Sequence, residues 1–240
     1  MTDVLVLCYH AVSPTWPADL SVTPDAMREQ LSTLVSRGFR GTGFSDAVTA
    51  PPHPRTLAIT FDDAYRSVLD LAKPILDELG LVGTVFTVTA FADDPRPMSW
   101  AGVDHWAATP HAPEMTPLTW DQLGDLAGAG WEVGSHTVNH PHLTGLDPET
   151  LDRELRDSRT AVEVALGRPC RSIAYPYGDR NQAVCAAAAA AGYETAASLH
   201  ALRPRPHDWP RVGVWHADDH RRFRVKVFRP MRLLRTVARR

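Results

Sequence analysis

The chain has 240 residues, 44% hydrophobic and 22% charged, which is enough to bury one large core and short for two independent ones. Its 15 Gly and 20 Pro lie near average usage and exclude collagen-like, linker-dominated or broadly disordered chains. The formal charge of −3 divides unevenly, with nine Arg or Lys and no acid in residues 221–240 against 16 basic and 28 acidic residues before them; such a body repels nucleic acid, whose affinity comes mostly from phosphate neutralisation.

Val4 to Cys8 is a continuous apolar run, the pattern of a strand buried on both faces. A helix is predicted from Pro24 to Arg37, with Thr23 as N-cap and Gly38 as stop. The next strand, Thr56 to Phe61, runs directly into Asp62 and Asp63. A helix over Ser67 to Leu79 contains Pro74, which marks a kink or a late start. Val82 to Thr89 is a β-branched strand. Residues 91–117 lack periodicity and form a long loop, functional or mobile. Helix Thr119–Ala129, strand Trp131–Ser135, helix Pro148–Leu166, strand Ser172–Tyr175, helix Asn181–Ala191 and strand Tyr193–Ser198 follow, with Arg211–Trp215 as a last short strand. This alternation predicts an α/β fold, a parallel sheet with helical crossovers. About seven strands in a single domain favour a closed or nearly closed barrel over an open sheet. Cys8, Cys170 and Cys185, an odd number without CxxC spacing, read as small core residues.

Reactive groups in parallel βα folds sit where strands end, and three strand ends here carry unusual polar groups. The first is Asp62-Asp63. Either one Asp caps the next helix, or a cation explains two adjacent carboxylates, one binding metal and the other handling protons. The second is Gly134-Ser135-His136-Thr137-Val138-Asn139-His140. Two imidazoles four residues apart share one face of a helical turn and can ligate one ion, and with an Asp they leave zinc an open position for water. The third, Ala174-Tyr175-Pro176-Tyr177-Gly178, is a sharp turn able to aim N–H groups or tyrosine rings into a site, or an ordinary aromatic turn.

The ordered series LAITFDDAYRS, WEVGSHTVNHPHL and AYPYG resembles the polysaccharide deacetylase family with the NodB homology domain, carbohydrate esterase family 4, in its AYPYG-type subgroup. VLVLCYHAV and GYETAAS are also similar to members, so the resemblance spans residues 4–215. It implies a distorted (β/α) barrel, with residues 1–220 as the catalytic domain and 221–240 as a basic C-terminal tail or helix. It also implies a divalent metal, Zn2+ or another transition metal, at the C-terminal ends of the strands. By resemblance Asp63, His136 and His140 are the metal ligands and Asp62 is the general base for the attacking water. The Tyr177 backbone N–H helps hold the developing oxyanion. The implied reaction hydrolyses an N-acetyl group on an amino sugar or glycoconjugate, releasing acetate and a free amine.

The sequence departs from the family pattern twice. Many members carry an arginine where Ala174 stands, to orient the base; Arg211 is the candidate substitute, with Arg171 as the alternative. Many also use a His in a Leu-x-His motif as general acid. Leu199-His200 does not fit that spacing, and His10 is the better candidate, with His216 a third. His142 is expected beside the ligands without binding metal. Tyr175, Tyr177 and Trp100 are candidates for substrate binding, and Trp106, Trp120 and His105 for stacking on sugar rings.

The N-terminus MTDVLVLCYH has no basic n-region and no stretch approaches the roughly 18 apolar residues of a membrane span, so a cytoplasmic location is expected. A soluble amino sugar, a glycoside or a lipid-linked precursor then fits better than a finished polymer. In the tail, Met231, Leu233, Leu234 and Val237 alternate with Arg232, Arg235, Arg239 and Arg240 at helical spacing, a pattern that lies on anionic lipid or is simply solvated. A carbohydrate-binding pseudoenzyme and a hydrolase of another non-peptide C–N bond stand as alternatives.

Overall fold

The computed structural model describes residues 3–201 and 203–230. Six strands, β1 (Asp3–Tyr9), β2 (Arg55–Phe61), β3 (Gly83–Thr87), β4 (Glu132–Ser135), β5 (Ser172–Ala174) and β6 (Thr195–Ser198), pair side by side in chain order, every pair parallel. Two further pieces close the ring. β7 (Trp209–Pro210) pairs with β6, and β8 (Val212–Gly213) pairs with β1. Between them Arg211 donates its N–H to the Ser198 carbonyl at 2.9 Å. β7 and β8 are thus two halves of one stave that bonds both edges of the sheet, and the result is a distorted, closed parallel barrel of eight strands. The last stave begins two residues earlier than the sequence suggests and is broken at Arg211.

Successive strand residues point to opposite faces, and two separate apolar clusters follow that alternation. Leu5, Leu7, Leu57, Ile59, Phe61, Val85, Val133 and Ile173 belong to the large outer core beneath the helices. Val6, Ala58, Phe86, Ala174 and Ala197 form a second cluster in the barrel interior, joined by Phe44 and Ala47. Burial on both faces explains the continuous apolar runs, each fully buried large side chain contributing about 1.5–3 kcal/mol.

The surrounding helices are α1 (Pro24–Ser36), α2 (Phe44–Thr49), α3 (Lys73–Glu78), α4 (Trp120–Gly128), α5 (Pro148–Leu166), α6 (Gln182–Ala190) and α7 (His220–Val227). Thr23, Thr119 and Asp147 cap the helices that follow them, Thr119 with Gln122 forming a complete capping box, and Asn181, which the sequence suggests as the first helical residue, is instead the cap of α6. Pro74 marks a late start: Val68–Ala72 is a π-helical turn and α3 begins at Lys73. Helix α2 is not apparent from the sequence, and it plugs the N-terminal end of the barrel. There Phe44 packs in the interior cluster, and Glu132 accepts hydrogen bonds from the Ser45 N–H and hydroxyl. The long loop contains two 3-10 turns, Asp104–Ala108 and Ala112–Met115. It is tied to the segment after β1 through Ser13, which donates to Glu114 at 2.7 Å. Cys8 and Cys170 are buried and Cys185 is partly buried. Among the described residues no helix is long and apolar enough to cross a membrane. Met231 to Arg240 lie outside the described residues.

Candidate active site

Every polar group singled out at a strand end arrives at the same end of the barrel. Asp62 and Asp63 follow β2, His136 follows β4, Tyr177 follows β5, His10 follows β1, and Arg211 interrupts the final stave. Asp63, His136 and His140 are buried, and one ligand atom from each lies within 4.8 Å of the others. Asp63 Oδ1 stands 3.4 Å from Nε2 of both imidazoles. His136 Nδ1 is 2.8 Å from the Ala174 carbonyl; a carbonyl only accepts, so Nδ1 carries the proton and Nε2 presents its lone pair toward Asp63. Asp63 Oδ1 is buried with no hydrogen-bond donor. An unpartnered carboxylate oxygen between two imidazole nitrogens is a donor set that fits a divalent cation.

The other carboxylate is held differently. Arg211 Nη1 and Nη2 donate to Asp62 Oδ1 and Oδ2 at 2.6 and 2.7 Å, and Nη1 also donates to Thr60 Oγ1 at 3.0 Å. The pair lies inside the barrel with side chains 0% and 3% exposed, the guanidinium 5.6 Å from the Phe86 ring centre. The small inward-facing Ala58 and Ala174 leave the barrel centre to it. The Cys8 thiol donates to Asp62 Oδ2 at 3.4 Å. Cys8, His10 and Asp62 also gather within 4.8 Å, but Arg211 occupies both Asp62 oxygens and would lie beside any cation bound there. Arg171 is elsewhere, paired with Asp46 and Glu194.

The charges reinforce this division. Burial alone would raise the Asp62 carboxyl, but the Arg211 guanidinium, with His136 and His10, holds it well below the usual carboxylate range. Burial likewise opposes the ionised Asp63, and the His136, His140 and His10 imidazoles around it outweigh that and hold it low. Burial presses His136 downward, yet the two carboxylates and the Ala174 carbonyl raise it overall. His140 is held down at about 3, chiefly by burial.

The two histidines are not on a helical turn, as their spacing suggests; they sit in an irregular loop after β4. Pro141 disfavours helical geometry at His140, and the loop closes instead through positive φ at Thr137 (70°) and His140 (60°). Asp63 (69°), Ala64 (59°) and Tyr177 (58°) share this conformation, so five of the six non-glycine residues with positive φ among those described cluster here. Each costs of order 1–3 kcal/mol unless its surroundings over-determine it. Here Glu154 of α5 accepts from the Val138 and Asn139 N–H groups at 2.9 and 3.0 Å and from Asn139 Nδ2 at 2.7 Å. Ser135 Oγ accepts from the Thr137 N–H, and Thr137 Oγ1 from the His140 N–H, both at 3.0 Å. Sequence reasoning missed Glu154, although a polar residue on the Leu151, Leu155, Val162 face of an amphipathic helix is a readable anomaly.

Above these groups opens a cavity of about 600 Å³ lined by His10, Asp62, Asp63, His136, His140 and Tyr177, with Trp100, Trp106, Trp215, His105, His200 and residues 17–20 around them. Trp100 stacks on His140 with ring centres 4.2 Å apart, and the Tyr177 ring meets His140 edge-on at 4.6 Å. His142 stacks on Tyr177 at 4.0 Å, on its side away from the ligand cluster. Tyr175 does not reach the cavity: strand alternation turns it into the outer core, where its hydroxyl donates to the His207 carbonyl at 3.0 Å. Trp120 also packs against that core. His216 is outside the cavity, 3.2 Å from the Ser21 carbonyl, whereas His200 lines it, against Gly178, where an added Cβ would come within 2.7 Å of the ring. His10 is half-buried beside Trp215, its pKa lowered by burial against the pull of Asp63 and Asp62.

Comparison with known proteins agrees with this geometry. YxkH of Bacillus subtilis, whose own name assigns polysaccharide deacetylation only provisionally, is 28% identical over 194 residues, covering 79% of this chain and 62% of its own length. A chitooligosaccharide deacetylase of Sinorhizobium fredii is 26% identical over 160 residues, covering 65% of this chain and 60% of its own length. The chain therefore spans about three fifths of the length of these curated relatives. Among solved structures, the Streptococcus pyogenes deacetylase PplD in complex with acetate superposes with a TM-score of 0.77 at 21% identity, over 95% of this chain and 99% of that one. A de-N-acetylase from Aggregatibacter actinomycetemcomitans gives 0.76 at 17%, over 93% and 99%. At such identities these structures speak for the fold alone. The family model described as polysaccharide deacetylase matches residues 49–196, a stretch running from β2 through most of the site to β6, and by that match the chain belongs to the polysaccharide deacetylase family.

Proposed function

We propose that the protein hydrolyses an N-acetyl group on an amino sugar or glycoconjugate, releasing acetate and a free amine. The observation that carries this reading is the unequal treatment of two adjacent carboxylates: Asp62 is clamped by Arg211, while Asp63 is left with a bare oxygen 3.4 Å from two imidazoles. Asp63, His136 and His140 would hold the metal, for which zinc suits the mixed nitrogen and oxygen donors. A bound divalent ion supplies Lewis-acid activation of water and stabilises negative charge on the carbonyl oxygen.

The remaining work falls to the chain itself. Asp62 takes the proton of the attacking water, and Arg211 fixes its plane and keeps it ionised. The Tyr177 N–H, on a turn locked at positive φ, is directed to the developing oxyanion. His10 donates the proton to the leaving nitrogen, with His200 as the second imidazole at the cavity. Trp100 and the Tyr177 ring provide apolar surface for a sugar face.

Acetate release from N-acetylglucosamine compounds, soluble and lipid-linked, by zinc-loaded protein and its Asp62→Asn variant is the direct test. Release that the variant lowers by at least about a hundredfold, the scale of a general base, supports the reading. No release from any compound by protein with one metal per chain overturns it.

A further inference from the structure

The cavity has a charge character that the deacetylation chemistry does not require. Among the described residues no Arg or Lys lines it. Arg211, the nearest guanidinium to its floor, has both terminal nitrogens on Asp62. The rim, in contrast, carries a carboxylate. Asp19 is exposed, lines the cavity and makes no ion pair among the described residues. The cavity is about 600 Å³ and Asp19 lines it together with Trp100, Trp106 and Trp215, so a ring next to the reacting one would pass this rim. A carboxylate or phosphate there would lose its hydration without meeting, among the described residues, a guanidinium or ammonium group to replace it. An ammonium group would meet Asp19 and aromatic faces.

We propose that the cavity admits amino-sugar chains that are uncharged or carry an ammonium beside the reacting ring, and rejects those carrying carboxylate or phosphate there, with Asp19 as the specificity-determining residue. This rests on the deacetylase reading above. It also implies that a ring already deacetylated does not hinder reaction at its neighbour, so that deacetylation can spread along a chain.

The test uses three oligosaccharides of equal length in which the ring next to the target N-acetylglucosamine is N-acetylated, deacetylated or a uronate. They are assayed at pH 7 with zinc-loaded protein. The expected kcat/KM for the uronate is at least about tenfold below the neutral compound, the scale of a like-charge penalty, and the ammonium compound equals or exceeds the neutral one. Raising ionic strength from about 0.01 M to about 1 M compresses these ratios. Asp19→Asn narrows the uronate gap at least about threefold, and Asp19→Lys reverses the order of ammonium and uronate. Because each ratio is taken within one protein, partial loss of activity does not affect it; should Asp19→Lys fail to fold, Asp19→Asn carries the test. Equal rates on uronate and neutral compounds, or a gap that neither salt nor substitution moves, overturn the proposal. If no compound releases acetate, the deacetylase reading fails instead, and calorimetric dissociation constants for the same three compounds decide the selectivity: the same order upholds it and equal affinities overturn it.

Discussion

Arg211 enters the barrel at a position where the other staves contribute small or apolar side chains, and its presence there makes sense only through Asp62. A buried ion pair of this kind contributes little net stability compared with an apolar pair, but removing one partner leaves an uncompensated charge, at about 3–5 kcal/mol. Arg211→Ala is therefore expected to lower the thermal midpoint and to reduce acetate release at least about a hundredfold, with metal content still near one per chain, because no ligand touches the guanidinium. Arg211→Lys retains the charge without the two-pronged geometry and should fall between. The double variant Arg211→Ala, Asp62→Asn should recover most of the lost stability without activity. The pH dependence has a definite sign. Since Asp62 is depressed in the folded protein, its contribution to stability is fully present above the ordinary carboxylate value of 3.8 and is lost as pH falls through its lower folded value. Urea melts from pH 5 downward should show that loss in the parent and not in Arg211→Ala. A melting point and acid profile indifferent to the substitution would show that the contact has no consequence.

At the scale of elements, the ligand loop depends on α5. One carboxylate, Glu154, gathers three donors from Val138 and Asn139, holding the loop between two residues at positive φ. Glu154→Ala leaves two backbone N–H groups without their acceptor, each costing about 1–3 kcal/mol if they stay buried. The expected result is a metal dissociation constant weakened about 10–100-fold, the usual consequence of losing support behind ligands. Glu154→Gln keeps one acceptor oxygen and should restore part of that affinity. Competition with a chromophoric chelator measures this; a fall in melting temperature with unchanged zinc affinity would limit Glu154 to a structural role.

The same element shows what can be read from sequence. Helix α5 was legible, because Asp147, Pro148 and Gly167 bracket a long amphipathic pattern. The staves β1 and β2 were legible because burial on both faces makes them continuous apolar runs. The ligand loop was legible in composition and not in shape, since a spacing of four mimics a helix until Pro141 is weighed. Helix α2 has six residues and no side-chain cap, and its existence follows from filling the barrel end, a tertiary matter. The last stave was legible as a short strand, but its start and its break at Arg211 were not, because its two halves pair with strands far apart in the chain.

Across the whole molecule, the candidate site and the start of β1 lie at opposite ends of the barrel axis. The cavity opens where the strands end, while Arg229 meets Asp3, the first residue of β1, at the opposite end. Of the basic residues after α7, Arg229 thus lies at the end of the barrel away from the cavity. Deleting residues 228–240 removes five of the nine tail Arg or Lys residues, each worth about 1 kcal/mol near an anionic surface. Sedimentation with phosphatidylserine vesicles should then lose at least about a hundredfold in partitioning, and kcat/KM on a soluble oligosaccharide should stay within about twofold, the scale of surface changes. Equal vesicle binding by full-length and shortened protein would remove lipid from the account of the tail, and lost activity in the shortened protein would place the C-terminal segment in the support of the barrel, through α7 packed on α1 and the ion pair of His220 with Glu29.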